Sequence, residues 1–398
     1  MKNLFTYLFT IVLVLCCVTA AHAVNWIKKN SLFPSDARQS AASFVIKDKA
    51  YIGTGYIYQN YNNVYFNDFW QYDSSTATWT KIADFPGESR YEAISFSANG
   101  KGYVGLGWGK SGNLKDFYEY DPGKNTWTKI ADFPDARSGA SAFVINNVGY
   151  IGTGYETNLK SDFYKYESGA WKAVASLPSG EARDKATAYA FNGKGYIVSG
   201  GAGPGVFGGT DSIWEYDPVT NTWQRISYFG LASNMLKSYV SGNIPYVVLY
   251  NDLYKYELTD KRFYREGTVF NGMKDISSET FFVINDVPYM TLGTYGDFFN
   301  ATNNIDMWYD ADAKEFTNIK QVTADNFTVY PNPVRDYFVI SGKSGSQISI
   351  SDFAGRLLLT RNNISDKETI IVSGWQRGVY LLTMKKDENS VIRKLIIQ

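Results

Sequence analysis

The feature that most constrains this chain is a unit that recurs along most of its length and has no room for a helix. Its clearest copy runs from Lys101 to Trp127. A short apolar strand with glycines, Tyr103-Val-Gly-Leu-Gly107, leads into a polar loop. An aromatic strand opened by an acid follows, Asp116-Phe-Tyr-Glu-Tyr120, then a Pro/Gly turn and a strand that opens on Trp127. Each apolar run is too short for a helix and is bounded by turn residues. Short strands at even spacing, repeated, specify an all-β repeat fold.

We name the four strands of a unit a, b, c and d. The b-strand tyrosines are Tyr51, Tyr103, Tyr150, Tyr196, Tyr246 and Tyr289, spaced 43 to 52 residues apart. The c-strand tyrosines are Tyr72, Tyr120, Tyr166, Tyr216, Tyr256 and Tyr309, and the d-strand aromatics are Trp79, Trp127, Trp171, Trp223, Phe263 and Phe316. The spacing is near the roughly 50 residues of kelch repeats, and the words themselves resemble that family. The family's glycine pair stands intact at Gly200-Gly201 and is varied elsewhere. The resemblance implies a six-bladed kelch-type β-propeller over residues 24–321. A seventh d-like strand begins at Trp26, followed by Phe33-Pro34 as Trp127 is followed by Phe133-Pro134. Trp26 is therefore expected to close the ring in blade six, with Phe316 as a further strand or linker, since mixing termini in one blade hides sheet edges.

Residues 1–23 read as a signal peptide: Lys2, a Leu/Val/Phe-rich stretch, and the A-x-A pattern Ala21-His22-Ala23, with cleavage expected after Ala23. Removal takes the only histidine and both cysteines, Cys16 and Cys17. A chain without His or Cys has no disulfide framework, no Cys/His zinc site and no His-based triad. It also cannot be a copper-radical oxidase of the kind some kelch-like propellers are. No cofactor and no metal are expected, although an oxygen-only Ca²⁺ site needs neither residue type. Cleavage leaves 38 basic against 39 acidic residues, which gives no reason to expect nucleic acid or an anionic membrane surface as partner. No stretch after residue 23 is apolar and long enough to span a membrane.

Thirteen residues before the b-tyrosine stand Arg38, Arg90, Arg137 and Arg183 in the first four units, but Ser233 and Ile276 in the last two. This position begins strand a, which lines the channel of a propeller. Arginines there contact acidic or polar ligands in ligand-binding kelch domains, and the resemblance implies the same option here. The competing expectation is that they pair with Asp36, Glu88, Asp135 and Glu181 nearby. The acids that open strand c, namely Asp68, Asp116, Asp162, Asp211, Asp252 and Asp306, read as turn-ordering residues. The b–c loops vary in length and carry aromatics, as binding loops do. The expected ligand face is therefore the four arginines with Tyr56, Trp108, Tyr155 and Phe207, taking a glycan or a protein ligand. This is binding without catalysis. The alternative is a carbohydrate-active enzyme like the kelch sialic-acid mutarotases, using Glu181, Asp184 and Glu88, with Glu156 nearby, as acid and base.

From Asp325 the kelch words stop, and short alternating strands suit a small antiparallel β-sandwich over residues 322–398. Tyr330-Pro-Asn-Pro333, Asp352-Phe-Ala-Gly-Arg356 and the basic-apolar terminal strand resemble the type A sorting domain of the type IX secretion system. That resemblance implies export by this machinery, through the periplasm, to the medium or the outer cell surface.

Overall fold

The structure, a computed structural model, describes residues 26–59, 62–203, 208–234, 236–269, 276–295, 302–303, 305–310, 328–330, 332, 334, 335–341, 344–352, 357–376, 378–386 and 389–397. These form strands, turns and bends, with no helix among them. The signal-peptide reading, Phe207 and Phe316 all lie outside the described residues. The chain divides into two compact units, Met1–Ala313 and Lys314–Gln398.

Among the described residues, the first unit holds six four-stranded antiparallel sheets. In the second blade the order is Ile94–Ala98, Lys101–Gly105, Phe117–Asp121 and Thr126–Lys129, from inside out. The innermost strands are Ala42–Ile46, Ile94–Ala98, Ser141–Ile145, Thr187–Phe191, Lys237–Ser241 and Thr280–Ile284. Each touches the next, and the last touches the first, so they enclose a channel. Ring closure uses the N-terminal strand: Trp26–Lys29 pairs with Met307–Asp310 as the outer strand of the sixth blade. Trp26 lies opposite Asp310, as Trp127 lies opposite Tyr120.

That register corrects two columns. Phe117 opens strand c opposite Gly105, and Met307 takes the same place opposite Thr291. The counterpart of Tyr120 in blade six is then Asp310, not Tyr309. In blade four, Ile213 pairs with Val198, so Ser212, and not Asp211, stands where Asp116 stands.

The aromatic columns form the contacts between blades. Trp127 of blade two packs on Phe69 and Phe85 of the preceding blade, at ring-centroid distances of 5.0 and 5.3 Å. Its indole N–H donates to the Ala83 carbonyl at 2.9 Å. Trp171 and Trp223 donate in the same way to Ala131 and Ala175. Phe44 stacks on Tyr51 at 5.0 Å and lies against Gly102 of blade two, where a Cβ would come within 2.1 Å of the ring. Only glycine lets the two sheets approach that closely. Edge-to-face and stacked pairs of this kind add to the burial of their own area.

The second unit contains two sheets. One joins Thr328–Tyr330, Tyr337–Ser341 and Lys367–Ile371; the other joins Leu357–Arg361, Gln347–Asp352, Gly378–Lys386 and Asn389–Ile397. Phe338, Ile340, Ile348, Ile350, Ile370 and Leu382 lie in one core cluster contributed by both sheets, which makes the unit a sandwich.

Candidate functional site

The four arginines are wholly buried, with no exposed side-chain surface. Arg90 holds Asp116 with two hydrogen bonds, 2.6 and 2.9 Å, donates to the Leu106 carbonyl at 3.1 Å, and lies over Phe85. Arg137 repeats this with Asp162 at 2.7 and 2.9 Å, the Thr153 carbonyl and Phe133. Arg38 holds Asp68 and the Thr54 carbonyl. Burial alone would raise the Asp68 carboxyl, but the hydrogen bonds and charge of Arg38 outweigh it and hold it below the usual range. Arg183 differs: it pairs with Glu181 and donates to the Ser212 hydroxyl and the Ser199 carbonyl.

These side chains tie the entry of strand a to the start of strand c within one blade. They do not form an arc open to solute at the channel mouth, where the sequence reading put them. Of the nearby acids expected as partners, Asp36 and Glu88 offer backbone carbonyls only. Asp135 adds a carboxylate contact to Arg137 at 3.2 Å. The turn-ordering acids turn out to be the main partners of Arg38, Arg90 and Arg137, while Arg183 pairs with the nearby Glu181, as the competing expectation had it. The arginine and aspartate columns are 25 to 30 residues apart in sequence and form one device.

Two residues after the arginine, or after Ile276 in blade six, the chain turns into strand a through a left-handed residue in the five blades whose residue at this position is described. Ser40 has φ 51°, Glu92 53°, Gly139 61°, Lys185 50° and Ser278 60°. Such a conformation costs a non-glycine residue about 1–2 kcal/mol. Hydrogen bonds between adjacent blades hold it: Ser40 N–H to Ser278 O, Glu92 N–H to Ser40 O, and Lys185 N–H to Gly139 O at 2.7 Å. These residues ring the channel mouth. Glu92 and Lys185, from blades two and four, form an ion pair across it at 2.8 Å. Burial alone would lower the Lys185 ammonium, but the charge of Glu92 and its hydrogen bond raise it overall.

Below this ring is a cavity of about 330 Å³, continued by one of about 180 Å³. Lys237 and Glu279 line both. Burial lowers the Lys237 ammonium, opposed by Glu279 and Glu92. Burial raises the Glu279 carboxyl to about 7, and Lys237 offsets only part of that. Glu279 Oε1 has no hydrogen-bond partner.

On the rim, Tyr56 lies 4.5 Å from Tyr91, and Tyr65 stacks on the same ring at 5.8 Å. Tyr91 adjoins Glu92, and its partner across the strand pair is Trp108, which is 37% exposed. Tyr56 and Trp108 are thus brought together through Tyr91, a residue the sequence reading missed. Tyr155 pairs by backbone with Ser138 in blade three, beside Gly139. Among the candidate acids, Glu88 is engaged by the Ser111 amide at 2.8 Å and hydroxyl. Glu156 pairs with Lys160 at 3.1 Å. Glu181 is taken by Arg183 and the Trp214 indole. Asp184 is different: it is buried, its Oδ1 is without a partner, and burial raises its carboxyl. Among the described residues no group of three or more acidic, His or Cys side chains is placed to hold a metal.

The comparisons with known proteins divide as the chain does. Residues 328–398 match the family of secretion system C-terminal sorting domains. This type IX tail directs export through the periplasm to the medium or the outer cell surface. No curated protein matches the chain in sequence. A solved structure titled "Structure of YjhT" superposes with a TM-score of 0.57 at 16% identity, covering 70% of this chain and 96% of that one. At that identity the likeness concerns the fold, an all-β propeller.

Proposed function

We propose that the first unit is a kelch-type propeller that acts as a non-catalytic binding module, exported by its sorting tail and taking a glycan or protein ligand at the channel mouth. The observation that carries this reading is the cross-channel Glu92–Lys185 pair, flanked by the Tyr56, Tyr65 and Tyr91 cluster and exposed Trp108, above a cavity of about 330 Å³. Aromatic faces stack on sugar rings or peptide side chains, while a fixed charge pair supplies directed hydrogen bonds. A pocket of that size with a few convergent polar groups is where a ligand site is looked for first. The buried arginines support the rim by fixing the loops and contribute no ligand contact.

The test is a glycan and peptide array probed with the mature chain, repeated with Trp108→Ala and Tyr91→Ala. Affinity for the ligand found should fall tenfold or more in both variants. Unchanged binding would move the site elsewhere. Export has its own test: a chain ending at Lys320 should accumulate in the periplasm, and its appearance in the medium at the full chain's level would contradict the role of the tail.

A second reading keeps Asp184 as acid or base of a carbohydrate-active enzyme, on its orphaned buried oxygen. Glu88 and Glu181 are occupied by loop contacts and do not support it. Turnover of a sugar anomer that disappears in Asp184→Asn would favour this reading over binding alone.

A further inference from the structure

Strand a is small and apolar where it lines the channel in most blades. Ala41, Ala93, Ala140 and Ala186 follow the left-handed residue in blades one to four, and the fifth blade has Leu236. Glu279 fills that position in blade six. One residue further on, where blade one has Ala42 and blade two Ile94, blade five has Lys237. Two ionisable groups are therefore set into a wall that is otherwise neutral below the mouth.

Their partners are incomplete. Glu279 is only 6% exposed, and Oε1 is unpaired; the buried Thr280 hydroxyl next to it, lining the second cavity, is also unpaired. No ion pair or hydrogen bond within the described residues holds the Lys237 ammonium. Glu279 and Glu92 act on it only at longer range, and Lys185 opposes them. Glu92 is already committed to Lys185. Blades one and three face the cavity with uncharged Ser40, Ala41, Gly139 and Ser141. With a proton on Glu279, Lys237 is the one cation of the described lining without a counter-charge, and Glu279 and Thr280 are neutral hydroxyl donors beside it. A partly buried cation without a counter-charge, with donors adjacent, favours an anion, and a carboxylate can use all three groups at once.

We propose that the channel below the mouth is a binding site for a small monocarboxylate, with the Lys237 ammonium as its charge partner and the Glu279 and Thr280 hydroxyls as donors to its oxygens. The proposal rests on the reading of this channel as the ligand site and specifies the chemistry of its deep end. Both charge states move the same way with pH: acid favours the Lys237 cation and the Glu279 hydroxyl, so capture strengthens as pH falls. If the protonated carboxyl is required, its position near 7 makes binding about tenfold weaker at pH 8 than at pH 6.

The experiment is calorimetry on the mature full chain at pH 6 and pH 8 with acetate, lactate and glucuronate, against glucose, glucosamine and chloride. At least one carboxylate should bind at pH 6 while glucose and glucosamine do not. Lys237→Met, which keeps an apolar stem of similar length, should abolish that binding with its melting curve intact. Glu279→Gln should keep binding and lose most of the tenfold difference between pH 6 and pH 8, leaving only what Lys237 itself contributes. Binding that survives Lys237→Met, a preference for glucosamine, equal binding of chloride, or no carboxylate bound at all would overturn the proposal. An array ligand lost in Tyr91→Ala with no carboxylate bound would leave the rim reading standing alone. Carboxylate capture with no array ligand would do the reverse.

Discussion

Blades one to four and blades five and six solve the same local problem differently. In the first three blades the acid at the head of strand c is satisfied from inside, by a buried arginine that precedes strand a. Blade four keeps the arginine and replaces the acid with Ser212, so Glu181 takes the charge. Blades five and six lack the arginine. There Asp252 is met from strand d by Arg265 at 2.7 Å, with both side chains substantially exposed, and Asp306 is met by Lys28 of the closing strand at 2.7 Å. The two blades without the buried arginine are the two that place Lys237 and Glu279 in the channel. Repetition marks the parts that hold the blades together, and departure from it marks the parts free to do chemistry.

The largest effect expected from this contrast is at Arg90. Arg90→Met leaves Asp116, four-fifths buried, without its cation and leaves the Leu106 carbonyl unpaired. Breaking a buried pair from one side costs about 3–5 kcal/mol, so the melting temperature should fall by on the order of 10 °C. A loss below about 1 kcal/mol would show that the arginine column is not the blade's internal brace. Next in size is ring closure. Trp26 is 7% exposed and packs on Phe281 at 6.0 Å, so Trp26→Ala should cost about 3 kcal/mol. An unchanged melting curve would mean that the sixth blade does not depend on the N-terminal strand.

The fold was legible because its signal is redundant: Tyr and Trp columns recur at one spacing, and a single slipped register, as at Tyr309 or Asp211, does not disturb the rest. The arginine column was equally visible, but its role was not. Counting each column separately gives no sign that Arg90 and Asp116, on different strands and 26 residues apart, share two hydrogen bonds. Most of the channel chemistry was missed for the opposite reason. Lys237 and Glu279 each occur once, at positions where sister blades carry alanine, leucine, isoleucine, serine or threonine, and a search for repeated residues passes over them. Aligning the blades on strand a and asking where a charge replaces a small residue would have found both. Of the expected rim, Tyr56 and Trp108 both lie beside Tyr91, which directly follows Arg90 and has no counterpart tyrosine in the other blades to mark it.

A smaller effect, at Glu279, is tied to pH. Its folded-state value of about 7 lies above the ordinary 4.5, so the folded protein holds a proton that the unfolded chain releases. The stability linked to that proton is fully present below pH 4.5 and is lost as pH rises through 7. Glu279→Gln should therefore match the parent near pH 4 and exceed it by at most about 3 kcal/mol at pH 8. Denaturant titrations of both proteins across that range would check it, and parallel curves would show that Glu279 is not held neutral by burial.

The smallest effect is at Arg265, the outer counterpart of the buried column. It meets one oxygen of Asp252 through Nε at 2.9 Å and a terminal nitrogen at 2.7 Å, distances as short as those from Arg90 to the two oxygens of Asp116. Its side chain is 54% exposed and that of Asp252 39%, so water replaces the pair when it is broken and salt screens it when it is made. Arg265→Ala should cost about 0.2–1 kcal/mol, and less in 1 M salt than in 0.05 M. Arg90→Met should be far less sensitive to salt, because its partner is buried. Equal losses at the two sites would mean that distance alone governs these pairs. A tenfold or greater difference in the unfolding equilibrium would show that burial and the two-oxygen fork, which the repeated inner position provides together, turn an equally short contact into a brace.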